Sequence, residues 1–110
     1  MIPLLTQLQL EALLVPKDNQ GKSVVVYFTA PWCGACQRLD LPKLENIPAQ
    51  DGSPITWYKC DIDVNKYSLG YCGLTKIPSF IFIKDGKFLG KFTSSDTGLV
   101  EDMLKESFND

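Results

Sequence analysis

Two cysteines, Cys33 and Cys36, stand three positions apart in the segment APWCGACQ, directly after the apolar run SVVVYFT. A cysteine pair at this spacing can bind a metal ion, close a structural crosslink, or cycle between dithiol and disulfide. The 110-residue chain contains no histidine, so the commonest metal ligand and the usual general base of enzymes are both missing. The rest of the chain must decide which of the three chemistries applies.

A zinc site is the weakest of these interpretations. The chain has four cysteines, and structural zinc sites usually combine two closely spaced pairs. Here only Cys33 and Cys36 form such a pair, because eleven residues separate Cys60 from Cys72. We therefore expect no metal cofactor, neither zinc nor an iron–sulfur cluster. Cys60 and Cys72 are predicted to be small buried apolar residues, with a disulfide between them, or a surface thiol at Cys72 open to glutathionylation or dimerisation, as alternatives.

The position of the pair favours redox chemistry. The β-branched run Ser23–Thr29 predicts a strand buried on both faces, and residues 36–46 predict a helix with a kink at Pro42. Cys33 then lies where strand gives way to helix, so unpaired N–H groups and the helix dipole stabilise its thiolate. One thiolate can attack a foreign disulfide while the other resolves the mixed intermediate. The small dipeptide Gly34–Ala35 leaves the approach open.

The other elements are predicted from hydrophobic periodicity and from turn residues. Strands and helices alternate and a hairpin follows, an order typical of an α/β protein with a central mixed sheet flanked by helices on both faces. The predicted elements are an edge strand at Leu4–Leu5, a helix over 7–15 that ends before Pro16, a strand over 55–60, a loop and short helix over 61–74 that close near Gly73, a hairpin of 80–84 and 87–93 around Asp85–Gly86, and a helix capped by Ser94 or Ser95 that runs through Phe108.

Composition and charge argue against several classes of partner. The net charge is −2 with no basic block, so we expect neither nucleic acid nor a membrane surface as a partner. No window reaches the ~18 consecutive apolar residues that a membrane span needs. The leucine-rich N-terminus lacks a positive region, and Gln7, Gln9 and Glu11 interrupt it, so it is not interpreted as a signal peptide. Residues 1–110 are predicted to form a single domain of a cytoplasmic protein, where structural disulfides are uncommon.

Several short motifs resemble those of one known family. The motif WCGAC, from Trp32 to Cys36, follows a β-branched strand and is similar to the active site of the thioredoxin family. The IPSF segment of residues 77–80 resembles the family's loop that holds a cis-proline beside the redox pair. Lys59 followed by the DID of residues 61–63 resembles a strand end of the family, and the KDGK of 84–87 resembles its last hairpin. The resemblance covers residues 23–108.

The resemblance implies a thioredoxin fold and thiol–disulfide exchange by a protein disulfide reductase. Cys33 would be the exposed nucleophile and Cys36 the resolving thiol, with no cofactor beyond their redox-active disulfide. Pro78 would be cis, and the backbone before it, at Ile77, would pair with an extended substrate peptide. Trp32 would shape the substrate surface. The implied partners are protein disulfides and, as electron donor, a thioredoxin reductase or glutathione, for a protein that is a monomer.

The chain departs from the family pattern in the strand before the motif. Tyr27 stands where the family has a buried aspartate that takes a proton from the resolving cysteine. Tyrosine, with an unperturbed pKa of about 10, is a poor base at neutral pH. Lys59, which pairs with that aspartate in the family, is predicted either to hydrogen-bond to Tyr27 or to turn outward. We therefore expect slower resolution by Cys36, or a different proton acceptor.

Further departures leave the partner and the redox potential open. Gly34–Ala35 replaces the common Gly-Pro dipeptide, which tunes the potential. Thr29 and Ser94 replace a tryptophan and a glycine near the expected docking face, so recognition by a standard thioredoxin reductase is not assured. A glutaredoxin-like or isomerase-type enzyme served by glutathione, and a binding subunit without redox turnover, remain alternatives. Asp61 and Asp63 are predicted to be solvated turn residues.

Overall fold

A central five-stranded sheet organises the computed structural model, which describes residues 1–109. Four α-helices pack against this sheet, and two short 3₁₀ segments cover Pro16–Asp18 and Ala35–Arg38. The strands are β1 (Ile2–Pro3), β2 (Ser23–Thr29), β3 (Ile55–Asp61), β4 (Ser79–Lys84) and β5 (Lys87–Thr93). The helices are α1 (Gln7–Leu13), α2 (Leu41–Glu45), α3 (Ser68–Tyr71) and α4 (Thr97–Ser107).

The sheet has the strand order β1-β3-β2-β4-β5 and is mixed. β1, β3 and β2 run parallel to one another, whereas β4 is antiparallel to both of its neighbours, β2 and β5. Parallel neighbours require crossover connections, and helices supply them here. The antiparallel strands β4 and β5 need only a tight turn. The predicted α/β architecture with a mixed sheet flanked by helices is confirmed.

The core divides into two clusters, one on each face of the sheet. Every residue of β2 is buried, as predicted, because this strand lies at the centre of the sheet with both faces covered. The first core cluster lies between the sheet and helices α2 and α4, and includes Tyr27, Trp57, Phe80, Phe82, Leu104 and Phe108. The second core cluster lies between the sheet and helices α1 and α3, and includes Leu4, Leu10, Phe28, Cys60, Ile81 and Ile83.

The hairpin between β4 and β5 forms at Asp85–Gly86, as the sequence predicts. Both residues have positive φ angles, 54° and 72°, which suit a two-residue hairpin turn. A Cβ atom at Gly86 would stand 2.6 Å from the Cα atom of Pro16, so only glycine fits this close approach. The Asp85 carboxylate accepts a hydrogen bond from the backbone N–H of Gly21 at 2.7 Å. The turn is therefore fastened to the segment that leads into β2.

Three predicted element boundaries are wrong by a few residues. The edge strand is Ile2–Pro3, and Leu4 instead is buried and donates its N–H to the Lys59 carbonyl at 2.9 Å. Helix α1 ends at Leu13, and the buried Asn19 amide donates to the Ala12 carbonyl in its last turn and to the Val15 carbonyl just beyond it. Helix α4 is capped by Asp96, whose carboxylate accepts from the Leu99 N–H at 3.1 Å. Aspartate is as good an N-cap as serine, so composition alone did not discriminate between them.

No helix within residues 1–109 is both long enough and apolar enough to cross a membrane.

Candidate active site

Cys33 and Cys36 form a disulfide at the carboxyl end of the central strand. Their Cα atoms are 5.4 Å apart, within the range that a disulfide can bridge. The Cys33 N–H donates to the Ala30 carbonyl at 3.1 Å, so the chain turns immediately after β2. The Cys36 N–H points at the Cys33 sulfur, 3.2 Å away. This N–H remains available to stabilise negative charge on the sulfur when the disulfide opens.

The predicted helix over residues 36–46 is wrong. The 3₁₀ segment Ala35–Arg38 ends at Leu39, which is extended (φ −79°, ψ 136°), and α2 begins two residues later. Pro42 favours this break, because in a continuous helix its ring would clash with the Arg38 carbonyl, whereas in the first turn of a new helix it costs little. The helix after the cysteine pair is therefore a single short turn. Its dipole is therefore weaker than that of the predicted helix, and the Cys36 N–H is the donor observed at the Cys33 sulfur.

Cys33 is not exposed in the disulfide form, contrary to expectation. Only 5% of Cys33 and 6% of Cys36 are accessible, because the bonded sulfurs pack into the first core cluster. Gly34, between the two cysteines, is exposed, and a Cβ atom there would have no neighbour within 4 Å. Ala35 is half-buried and packs against the first core cluster. The open side of the disulfide therefore lies at Gly34.

Trp32 is held over the site by an acidic residue that sequence reasoning missed. The indole is 65% exposed, and its Nε1–H donates to both carboxylate oxygens of Asp63, at 3.0 and 3.2 Å. Asp63 is an exposed turn residue, as predicted, and its bond to Trp32 is an additional role that the sequence did not reveal. Asp61 also acts as a turn residue, because its carboxylate accepts from the Asp63 N–H at 2.9 Å. Because β2 and β3 are parallel and Thr29 pairs with Asp61, the turn that follows β3 lies beside the motif that follows β2.

The loop before β4 comes next to the motif from the other side. The Ile77–Pro78 peptide bond is cis, and Pro78 is buried. The Ser79 hydroxyl donates to the Lys76 carbonyl and lies 2.7 Å from the Thr93 hydroxyl on β5. Ser79, which the sequence analysis did not single out, therefore fixes the loop to the sheet. A groove of about 310 Å³ separates this loop from Trp32, and its lining residues are Trp32, Ile62, Leu69, Thr75, Lys76 and Ile77.

Tyr27 is a core residue in the structure. It is 2% exposed and stacks on Phe80 with ring centroids 5.3 Å apart. Burial raises the pKa of Tyr27 above its ordinary value of 10.0, and an interaction with the Thr29 side chain opposes part of that rise. Lys59 pairs with Tyr27 in the register of β2 and β3, but its side chain is exposed. Of the two alternatives for Lys59, the outward orientation is the one observed.

Cys60 and Cys72 are both free thiols, so no second disulfide joins them. Cys60 is buried within the second core cluster, and Cys72 is half-buried against the same cluster. Burial raises the pKa of Cys60 to about 12 and that of Cys72 to about 11, the latter opposed in part by the nearby Lys91 ammonium. Both thiols are therefore protonated and poorly nucleophilic at neutral pH.

Across residues 1–109, no three histidine, cysteine, aspartate or glutamate side chains come together in a group that could hold a metal ion.

The sequence profile of the thioredoxin family matches residues 10–106 of the chain. The chain is 36% identical over 91 residues to a thioredoxin of Geodia cydonium, covering 81% of this chain and 84% of the relative. It is 31% identical over 98 residues to the TPR repeat-containing thioredoxin TDX of Arabidopsis thaliana; this match covers 89% of the chain but only 25% of that longer protein.

Solved structures give the same picture. Fasciola hepatica thioredoxin superposes with a TM-score of 0.76 at 33% identity, over 94% of this chain and 96% of that one. Oxidised mitochondrial thioredoxin 3 of Saccharomyces cerevisiae superposes with a TM-score of 0.78 at 28% identity, over 96% and 94% of the two chains. Together with the Cys33–Cys36 disulfide, the fold defines a thiol–disulfide oxidoreductase that reduces protein disulfides. The chain belongs to the thioredoxin family.

Proposed function

We propose that the protein reduces disulfides of cytoplasmic proteins, with Cys33 as the attacking thiol and Cys36 as the resolving thiol. The observation that carries the proposal is the position of the Cys33–Cys36 disulfide. It ends the central strand, next to the exposed Trp32 and the Ile77–Pro78 loop. A substrate that docks between these two apolar walls would bring its own disulfide next to the pair.

The proposed reaction has two exchange steps. In the first, the Cys33 thiolate attacks one sulfur of the substrate disulfide, and the other substrate sulfur leaves as a thiolate. In the second, the Cys36 thiolate attacks the Cys33 sulfur, which closes the internal disulfide and releases the second substrate thiol. The dithiol loses two electrons and two protons, and the substrate gains both. The Cys36 N–H, 3.2 Å from the Cys33 sulfur, supports the assignment of the first attack to Cys33.

The proton of Cys36 needs an acceptor other than Tyr27. A buried tyrosine whose pKa is raised is already protonated near neutral pH, so its hydroxyl cannot take a further proton from a thiol. The outgoing substrate thiolate and solvent are the remaining acceptors. This supports the expectation that resolution is slow relative to family members with a buried carboxylate.

Docking of the substrate is proposed to use main-chain and apolar contacts. An extended segment would hydrogen-bond to the backbone at Ile77, in the manner of an added strand, and pack an apolar side chain on Trp32. The Ser79 and Asp63 hydrogen bonds support this arrangement, because each holds one wall of the groove in place before a substrate arrives.

The electron donor, the compartment and the oligomeric state belong to the same proposal. Two unpaired cysteines, Cys60 and Cys72, suit a reducing compartment such as the cytoplasm. A thioredoxin reductase or glutathione would return the disulfide to the dithiol, and the protein would act as a monomer. A glutathione-buffered titration, with thiols alkylated and counted by mass, measures the midpoint potential and so discriminates between a reductase and an isomerase. A midpoint of about −270 mV, as in thioredoxin, indicates a reductase, and a midpoint of about −180 mV indicates an isomerase.

Single cysteine variants test the assigned roles. Cys33→Ser should abolish reduction of a test protein disulfide, because no attacking thiolate remains. Cys36→Ser should accumulate a mixed disulfide with the substrate, visible as an added mass that a reductant removes. Cys72→Ser is the matched control, because Cys72 is a half-buried thiol outside the pair, and it should keep full turnover. Reduction at the normal rate by Cys33→Ser would show that the nucleophile is assigned wrongly.

A further inference from the structure

The groove between Trp32 and the loop before β4 carries one charge among largely apolar walls. Five of its six lining residues are aromatic, aliphatic or threonine, and the sixth is Lys76. The Lys76 side chain is exposed, and no carboxylate within the described residues 1–109 forms an ion pair with it. Its backbone is fixed, because the Lys76 carbonyl accepts the Ser79 hydroxyl. Lys76 therefore presents an unpaired ammonium at the groove from a fixed backbone. It is in a position to favour substrates that carry a negative charge there.

The two walls of the groove differ in charge. The wall formed by the loop carries Lys76. On the wall formed by Trp32, the Asp63 carboxylate accepts the indole N–H. A substrate segment between the two walls therefore meets positive charge on the loop side and negative charge on the Trp32 side.

We propose that Lys76 is a specificity-determining residue, which selects protein disulfides whose segment places an acidic residue beside Lys76, on the loop wall of this groove. The occupant is an extended, disulfide-bearing protein segment with an apolar side chain on Trp32 and a carboxylate beside Lys76. This inference rests on the proposed function, because it takes Cys33 as the atom that the substrate must reach. It adds a requirement for where the substrate carries its acidic residue, which the exchange chemistry itself does not impose.

The size of the effect follows from the exposure of the charges. A solvent-exposed ion pair contributes a fraction of a kcal/mol, so reversing one pair changes a rate constant by about threefold. High salt should reduce that ratio toward one, because at ~1 M the Debye length is about 3 Å. The preference is therefore a selectivity among substrates and leaves the chemistry of the exchange unchanged.

Two peptides of identical composition provide the probe. Each carries one cysteine next to leucine, as a mixed disulfide with thionitrobenzoate. One has glutamate before and lysine after the cysteine, and the other has the reverse order. The reduced protein releases thionitrobenzoate, whose absorbance gives the rate in a single turnover without an electron donor. Because the two peptides have the same net charge, long-range attraction to the protein is the same for both.

The variants are Lys76→Glu and, as the matched control, Lys87→Glu. Lys87 is also an exposed lysine, but it lies at the hairpin turn, at the opposite end of the β4–β5 hairpin from Pro78. The wild-type protein should prefer one charge order by about threefold at low salt. Lys76→Glu should reverse or remove this preference, and Lys87→Glu should keep it.

Other results overturn either this inference or the function beneath it. Equal rates for the two peptides in the wild type, or an unchanged preference in Lys76→Glu, would overturn the role of Lys76 alone. A loss of preference in Lys87→Glu as large as that in Lys76→Glu would do the same, because it would indicate a general charge effect. If the wild type reduces neither peptide, or if Cys33→Ser reduces both, the proposed function itself fails.

Discussion

Among single residues, Tyr27 has the clearest chemical consequence. The position faces the first core cluster beside Trp57 and Phe80, and Lys59, its neighbour in the register of β2 and β3, is exposed. Tyrosine fills the same space with an aromatic ring that stacks on Phe80. Tyrosine in place of an acid therefore removes a proton acceptor and adds aromatic packing that stabilises the core.

This replacement predicts that the Tyr27 hydroxyl has no part in catalysis. Tyr27→Phe keeps the stacked ring and removes only the hydroxyl, so the rate of mixed-disulfide resolution should stay within about twofold between pH 6 and 8. Stopped-flow measurement of the second exchange step checks this. Tyr58→Phe is the control, because Tyr58 is a half-buried tyrosine of β3 packed against the other cluster. A tenfold loss in Tyr27→Phe, absent from Tyr58→Phe, would show that the hydroxyl handles the proton.

At the scale of elements, the segment after the cysteine pair differs most from expectation. Asp40 starts α2 afresh after the break at Leu39, and its carboxylate accepts from the Lys43 N–H at 3.2 Å. The Asp40 N–H also donates to the Thr97 hydroxyl at 3.0 Å, which ties the start of α2 to the start of α4. One residue therefore supports the two helices that cover the first core cluster.

Asp40→Ala should lower the free energy of unfolding by about 1 kcal/mol, because it removes an N-cap. Asp40→Asn should cost only a few tenths, because the amide oxygen can still accept from Lys43. Urea denaturation of both variants at pH 7 measures the difference. Equal losses in the two variants would mean that the charge of Asp40, and not its capping bond, stabilises the segment.

The same segment shows what a sequence can predict and what it cannot. The strand Ser23–Thr29 and the Asp85–Gly86 hairpin followed directly from residue types, because a long apolar β-branched run and an Asp-Gly turn have few other uses. The break before α2 did not, since Pro42 is compatible both with a kink and with a new first turn. The decision depends on tertiary contacts of Asp40 that are distant in sequence.

Some features of the active site could likewise be predicted from the sequence, and others could not. Cys33, Cys36, Trp32 and the Ile77–Pro78 loop were found from spacing and family resemblance, and the structure brings them together. The Asp63 bond to Trp32 was not found, because a carboxylate in a turn is usually solvated and the pairing joins residues 31 positions apart. Contacts of this kind become visible only when the register of β2 against β3 is known.

For the whole molecule, two core clusters separated by one sheet mean that buried ionisable groups lie on both faces. Tyr27 is in the first cluster, Cys60 is in the second, and Cys72 packs against the second. Burial raises the pKa of all three, and in each case the favoured form is neutral. Both halves of the core are therefore sensitive to alkaline pH in the same direction.

Stability should accordingly fall as the pH rises above about 9. In the unfolded chain a thiol titrates near 9.0, whereas in the folded protein the pKa of Cys60 is about 12. Between these values the unfolded chain has lost a proton that the folded chain retains, so rising pH favours unfolding, by up to about 1.4 kcal/mol per pH unit for each such thiol. Below pH 9 both states hold the proton and the dependence disappears.

Cys60→Ala should remove one of these contributions and flatten the decline between pH 9 and 11, although the cavity it leaves lowers stability at pH 7. The measurement is urea denaturation across this range, with a reductant present, in a Cys33→Ser/Cys36→Ser background that cannot form the active-site disulfide. Cys72→Ala should flatten the decline less, because the pKa of Cys72 is raised only to about 11. If the background protein and Cys60→Ala lose stability with the same slope, the buried Cys60 thiol is not a source of the alkaline sensitivity.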